Sequence, residues 1–183
     1  MVTPRLLDTV NASPAALPDD RGRLVHLQFR RFAGCPVCNM HLRSIVVRHD
    51  EITAAGITEL VVFHSPAAEL ARHAADLPFA VVADPDKRLY REFGVESGRR
   101  ALLDPRVWLP VLRAVLGGLV AVVRRTEHLP ANSPAGGRLG LPADFLIAPD
   151  GTVLASRLGT HAYDQWSVDE LLGHAAALSP ARD

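Results

Sequence analysis

Lysine is nearly missing from this chain, with Lys87 the sole lysine among twenty basic residues. Its setting, Asp84-Pro85-Asp86-Lys87-Arg88, is that of a solvated surface charge, so Schiff-base chemistry, which needs a desolvated amine, is not expected. An excess of either charge is missing too. Twenty basic residues face twenty acidic ones and the isoelectric point is near 7.1, which leaves no general field for a phosphate backbone or an anionic lipid surface. Neither a nucleic-acid nor a membrane partner is expected. Met1–Asp20 holds no apolar run of signal-peptide length, and a cytoplasmic location is the corresponding expectation. The longest apolar stretch, Val107–Val123, is interrupted by Arg113 and carries Pro110 near its start. It reads as a core or homodimer-interface helix rather than a span.

Nucleotide and hydrolase motifs are lacking as well. Gly117-Gly118 and Gly136-Gly137 have no phosphate-cradling context, and no GxSxG elbow accompanies the eight histidines. His64 and Ser65 end a strand-like run and read as a satisfied strand end. Only two cysteines are present, too few for a secreted disulfide framework.

What is present is the hydrophobic patterning of a folded α/β chain: 183 residues, 48% hydrophobic and 22% charged, the size of one domain with one core. Residues 1–23 read as a lead-in. Leu24–Phe29 alternates as a strand does and runs through Arg30, Arg31 and Phe32 to Gly34. Met40, Leu42, Ile45, Val46, His49 and Ile52 then follow helical spacing up to Gly56. Ile57–His64 has the continuous apolar content of a strand covered on both faces, Ser65-Pro66 opens a helix to about Ala75, and Phe79–Ala83 is a third strand. Asp84 and Pro85 suit the N-cap and first position of a further helix closed by Gly94. This alternation predicts parallel strand pairs with helices on the sheet faces. Residues 96–140 break it and read as a helical and loop insertion. Phe145–Ala148, a Pro149-Asp150-Gly151 turn and Thr152–Ser156 form a hairpin signal, and Ser167 with Glu170 makes a capping box for a last helix to about Leu178.

The chemistry concentrates in Gly34-Cys35-Pro36-Val37-Cys38. Cysteines three apart at a helix start lie about one turn apart, close enough to form a disulfide after small adjustment. The first faces free backbone amides and the positive end of the helix dipole, which favour thiolate over thiol. Cys35 is therefore the expected nucleophile and Cys38 the resolving partner. Pro36 fits the first helical turn and is expected to keep Cys35 exposed, while Gly34 permits close approach of a substrate. Arg30 and Arg31 are read either as a solvated strand end or as positive charge beside the thiolate. Cys35, Cys38 and His41 have CxxCxxH spacing, but a structural zinc normally takes four protein ligands and no second cysteine pair exists. Covalent haem needs a histidine right after the second cysteine, where Asn39 stands. No metal and no cofactor is expected.

The strand leading into Gly-Cys-Pro-Val-Cys, the parallel strand after it, Asp84-Pro85 before Leu89–Gly94, the run Gly140–Gly151 and the Trp166–Leu172 helix together resemble the thioredoxin superfamily. Their order is similar to the peroxiredoxin-like branch of the alkyl hydroperoxide reductase C and thiol-specific antioxidant family. The resemblance spans most of 24–178. It implies a thioredoxin-like fold with a mixed central sheet, and it places a substrate-groove cis-proline at Pro142. Two features depart from the family pattern: Phe32 stands where a Thr or Ser hydroxyl is usual, and the arginine usual before the returning strand falls near Pro142, leaving Arg30, Arg31 or Arg138 to substitute.

Three functions follow as expectations. The first is a peroxiredoxin-like peroxidase, with Cys35 attacking peroxide, Cys38 resolving and a thiol reductant such as a thioredoxin-like protein resetting the pair. The second is a thioredoxin-like reductase of protein disulfides using the same residues. The third is a non-enzymatic interaction protein docking through Val107–Val123.

Overall fold

The computed structural model describes residues 1–95, Leu112 and residues 140–178. The insertion expected over 96–140, the Val107–Val123 segment and Arg138 fall outside these residues, apart from Leu112 and Gly140. Within them lie seven strands, β1 (Arg5–Leu7), β2 (Ala15–Leu17), β3 (Leu24–Arg30), β4 (Ile57–Phe63), β5 (Ala80–Ala83), β6 (Ala143–Ile147) and β7 (Val153–Leu158). The helices are α1 (Pro36–Val47), α2 (His49–Ala54), α3 (Ala67–Ala74), α4 (Arg88–Glu92) and α5 (Val168–Leu178).

Five strands form one mixed sheet in the order β5-β4-β3-β6-β7. The β3–β4 and β4–β5 pairs are parallel, as the helical crossovers between them require. The β3–β6 and β6–β7 pairs are antiparallel, the latter joined by the hairpin at Pro149-Asp150-Gly151. This is the mixed sheet flanked by helices that defines a thioredoxin-like fold.

Period-two alternation sends the residues of each strand to two different layers. Val25, Leu27 and Phe29 of β3 join Leu60, Val62, Phe145 and Ile147 on one face, covered by Val2 and Leu17 of the N-terminal segment and by Leu89 and Tyr90 of α4. On the other face Val61, Phe63, Val81 and Leu146 pack under Leu42 and Ile45 of α1, Leu70 of α3 and Leu171 of α5.

Three local expectations are revised. The helix read from Met40 to Gly56 is two helices, because Arg48 leaves helical geometry at φ −112° and ψ 20° and its guanidinium turns to Glu51 and Asp169. Pro85 is not in the first turn of α4. Residues 85 and 86 lie in a turn, Lys87 takes the left-handed conformation at φ 54°, and Asp84 reaches across it to accept the N–H groups of Arg88, Leu89 and Tyr90. The lead-in is ordered: β1 and β2 form an antiparallel ribbon, and the Asn11 amide bonds the carbonyls of Ala74, Leu77 and Phe79 and the N–H of Val81. The capping box at Ser167 and Glu170 forms as expected, each side chain accepting the other's backbone N–H.

Candidate active site

The cysteine turn sits at the carboxyl ends of β3 and β4, where ligand sites of open α/β sheets gather. Gly34 has φ 73°, a left-handed conformation that glycine adopts without steric cost, and it turns the chain from β3 into α1. Cys35 is the N-cap of α1 and Pro36 occupies its first turn. The loop is tied to the end of β4: the N–H of Ala33 donates to Ser65 Oγ at 3.0 Å and that of His64 to the Arg31 carbonyl at 3.3 Å. The His64 ring stands edge-on to Tyr90 with centroids 5.7 Å apart, and Gly140 lies so close that a Cβ there would meet His64 Nε2 at 2.8 Å.

Both cysteines are free thiols, and both are buried, Cys35 at 1% and Cys38 at 2% exposure. The expectation that Pro36 keeps Cys35 exposed is thus corrected, since Cys35 belongs with Phe32, Ala33, Val37 and Cys38 to the buried core on the α1 side of the sheet. Neither arginine is a solvated strand end. Arg31 is buried, its Nη1 lies 3.8 Å from Cys35 Sγ, and its guanidinium carbon stands 5.4 Å from the centre of the Phe32 ring. Burial by itself pushes the Cys35 thiol up. A hydrogen bond from Cys38, the positive charge of Arg31 and the amides of Cys38 and Val37 outweigh it and bring Cys35 down to about 7. Burial and the neighbouring Cys35 push Cys38 well above its ordinary value. The two thiols are thereby shifted in opposite directions, Cys35 toward the thiolate and Cys38 toward the protonated form.

Arg30 points to the α1 side of the sheet and is fully buried within a polar cluster. Its Nη2 donates to Asp144 at 2.7 Å and to Gln28, and stands 3.0 Å from His41 Nε2. His26 lies between Glu59, at 2.9 Å, and Asp144, at 3.3 Å. Burial pushes His26 down, but Glu59 and Asp144 outweigh this and lift it to about 9. Burial also opposes the Asp144 carboxylate, yet the charge of Arg30 and the bond to His26 hold its proton affinity well below the usual range. Burial and Arg30 keep His41 neutral. His41 faces Arg30, and no group of three or more His, Cys, Asp or Glu side chains suited to hold a metal ion occurs among the described residues.

Pro142 is corrected. Its peptide bond is trans, the cis bond of the described residues being Leu17-Pro18. Its carbonyl accepts the Gly159 N–H at 2.9 Å, in contact so close that a Cβ on Gly159 would stand 2.7 Å from that oxygen. Pro142 lines a cavity with Gly94, Val95, Leu158 and Thr160 that neither cysteine reaches. A cavity adjoining the cysteine turn among the described residues begins at Gly34 and Asn39 and runs between α1 and α3, about 500 Å³ in volume, over Leu42, Phe63 and Leu70.

A mixed thioredoxin-like sheet with two thiols of opposed acidity at the start of α1 defines a thiol oxidoreductase. Residues 44–161 match the family model described as AhpC/TSA antioxidant enzyme, and the chain belongs to that family. The matched stretch begins after the cysteine turn. No curated protein matches the chain. Among solved structures it is similar to peroxidoxin BcpB of Mycobacterium tuberculosis, at 16% identity over 98% of this chain and 96% of that one, TM-score 0.68. It is similar too to a mutant form of Xanthomonas campestris peroxiredoxin Q, at 16% identity over 96% and 92%, TM-score 0.64. A Chlorobium tepidum chain described as a thiol:disulfide interchange protein DsbE is 18% identical over 96% and 92%, TM-score 0.58. At these identities the likeness is one of fold.

Proposed function

We propose that the protein reduces peroxides through Cys35, with Cys38 as resolving thiol. The observation that carries this reading is the contact of the Arg31 guanidinium with a Cys35 sulfur that is 1% exposed. Such a site stabilises a thiolate, whereas a protein disulfide, far bulkier than a peroxide, would have to reach a sulfur buried in the core with Phe32, Ala33 and Val37. The Cys35 thiolate attacks one peroxide oxygen, the S–O bond forms as the O–O bond breaks, and the departing alkoxide or hydroxide takes up a proton. Cys38 then attacks the sulfenic sulfur, its proton and the departing hydroxide leave as water, and an internal disulfide remains. A dithiol partner of the thioredoxin type returns two electrons by disulfide exchange.

Trapping tests the first step. Reduced Cys38→Ser protein, treated with one equivalent of hydrogen peroxide, should gain the mass of one oxygen at Cys35 and then react with a sulfenic-acid trap. A Cys35 that stays a thiol under this treatment, yet forms a mixed disulfide with an oxidised peptide, would replace the reading by disulfide reduction. That second reading is favoured by Phe32, which offers no hydroxyl beside Cys35 to hold a peroxide oxygen.

A further inference from the structure

Two consecutive arginines leave the end of β3 in different directions, and only one of them touches a sulfur. Arg31 faces Cys35, while Arg30 lies under α1, fully buried, with no thiol among its hydrogen-bond partners. We propose that Arg30 is a positioning residue for the cysteine pair, acting through His41 to hold α1 in the one orientation that places Cys35 against Arg31. This rests on the reading of Cys35 as the nucleophile.

The buried residues of α1 are Val37, Cys38, His41, Leu42 and Ile45, and His41 supplies a bond from this face to a side chain of the sheet. Apolar packing is non-directional and lets a helix slide or rotate among nearly equivalent fits. A bond from an immobilised guanidinium does not, because donors and acceptor must stay in line. Arg30 is immobilised from three sides: Asp144 of β6 at 2.7 Å, Gln28 of its own strand, and the Phe29 carbonyl at 3.2 Å. Asp144 is fixed in turn by His26 at 3.3 Å and by the Trp166 N–H at 3.0 Å, just before α5. A continuous polar path thus runs from the returning hairpin through β3 to His41, one turn beyond Cys38.

Stability alone does not account for this cluster. Burying an arginine and a carboxylate costs desolvation that their attraction only partly offsets, and apolar replacements of such clusters are often neutral or stabilising. The geometric consequence is more specific. The contact between Arg31 and Cys35 is 3.8 Å long, so a displacement of α1 by an ångström weakens the attraction that favours the thiolate by about a fifth.

The test is a thiol titration that needs no turnover. Cys35 is titrated by the pH dependence of its alkylation rate in wild type, His41→Leu and His41→Gln, the groups facing it being Arg31 and Cys38. Leucine removes the acceptor and leaves Arg30 paired with Asp144, while glutamine can still accept from Arg30. The expected result is a rise of about half a pH unit in the Cys35 titration for His41→Leu, about threefold less thiolate below its midpoint, with an unchanged or higher thermal midpoint, and return toward wild type in His41→Gln. Wild-type titration in a folded His41→Leu protein overturns the proposal. Should His41→Leu not fold, Arg30→Lys, which keeps the charge but not the planar fork, must raise the titration in the same way, and its failure to do so overturns the proposal equally. If the titration moves while no variant or wild-type protein reacts with peroxide, positioning stands and the peroxidase reading falls. If peroxide reacts normally in all of them and the titration does not move, the reverse holds.

Discussion

Removing the Arg31 charge is the perturbation whose size the geometry allows to be worked out. Two unit charges at the 3.8 Å between Nη1 and Cys35 Sγ interact by about 4 kcal/mol at an effective dielectric constant near 20, and by about 1 kcal/mol in bulk water. One pH unit corresponds to about 1.4 kcal/mol, so Arg31→Met should raise the Cys35 titration by roughly one to three pH units, from about 7 toward the range in which burial leaves a thiol protonated. At neutral pH the thiolate fraction then falls from about half to a tenth or less. The assay is alkylation of the reduced protein by iodoacetamide across pH 5–10, with the Cys35 adduct quantified by peptide mass. Methionine keeps much of the volume over Phe32, so a folded variant is expected, and a thermal scan establishes this. A midpoint within about 0.3 pH units of wild type would overturn the electrostatic assignment, because it would mean that the helix amides and Cys38 alone set the acidity.

Two further outcomes follow from the buried polar layer and the N-terminal segment. His26 titrates higher in the folded state than its ordinary 6.5, at about 9, so its contribution is fully present below about pH 6.5 and is lost as pH rises through 9; the difference is about 3 kcal/mol. Asp144, held below its ordinary value, acts oppositely, its contribution being lost as the medium becomes acidic. Urea midpoints should therefore decline from pH 6 to pH 9.5 in wild type, and a His26→Gln protein should lose most of that slope; an equal slope in both would contradict the assignment. Asn11→Ala deprives the Ala74, Leu77 and Phe79 carbonyls and the Val81 N–H of a common partner, which should cost about 2 kcal/mol and lower the thermal midpoint by roughly 4–8 °C. No change in a thermal scan would show that the segment does not clamp α3 and β5.

Most of the sheet and the cysteine helix were legible because their signals are local. A glycine closing α2 at position 56, a continuous apolar run in β4 and a Ser-x-x-Glu box before α5 are each encoded within a few residues. The role of the arginines was not, because it depends on partners far away in sequence. His26, Gln28 and Arg30 alternate with Val25, Leu27 and Phe29, and such a period of two shows that the faces differ but not that both are covered. Only the return of β6, 114 positions later, places Asp144 against Arg30. The burial of Cys35 escaped for a related reason: Pro36 sets the local backbone, but what ties the loop down is the bond from the Ala33 N–H to Ser65, 32 positions later. The cis reading of Pro142 rested on family resemblance and its Gly-Leu-Pro context, and the Leu141-Pro142 bond is trans.

Peroxide reduction through Cys35 stands or falls on stopped-flow oxidation of the reduced protein by hydrogen peroxide, following thiol loss in wild type, Cys35→Ser and Cys38→Ser. The expected rate is far above that of a free thiol in wild type and Cys38→Ser and is abolished in Cys35→Ser, with an internal disulfide formed only in wild type. A wild-type rate no faster than that of free cysteine, or one retained in Cys35→Ser, would contradict it.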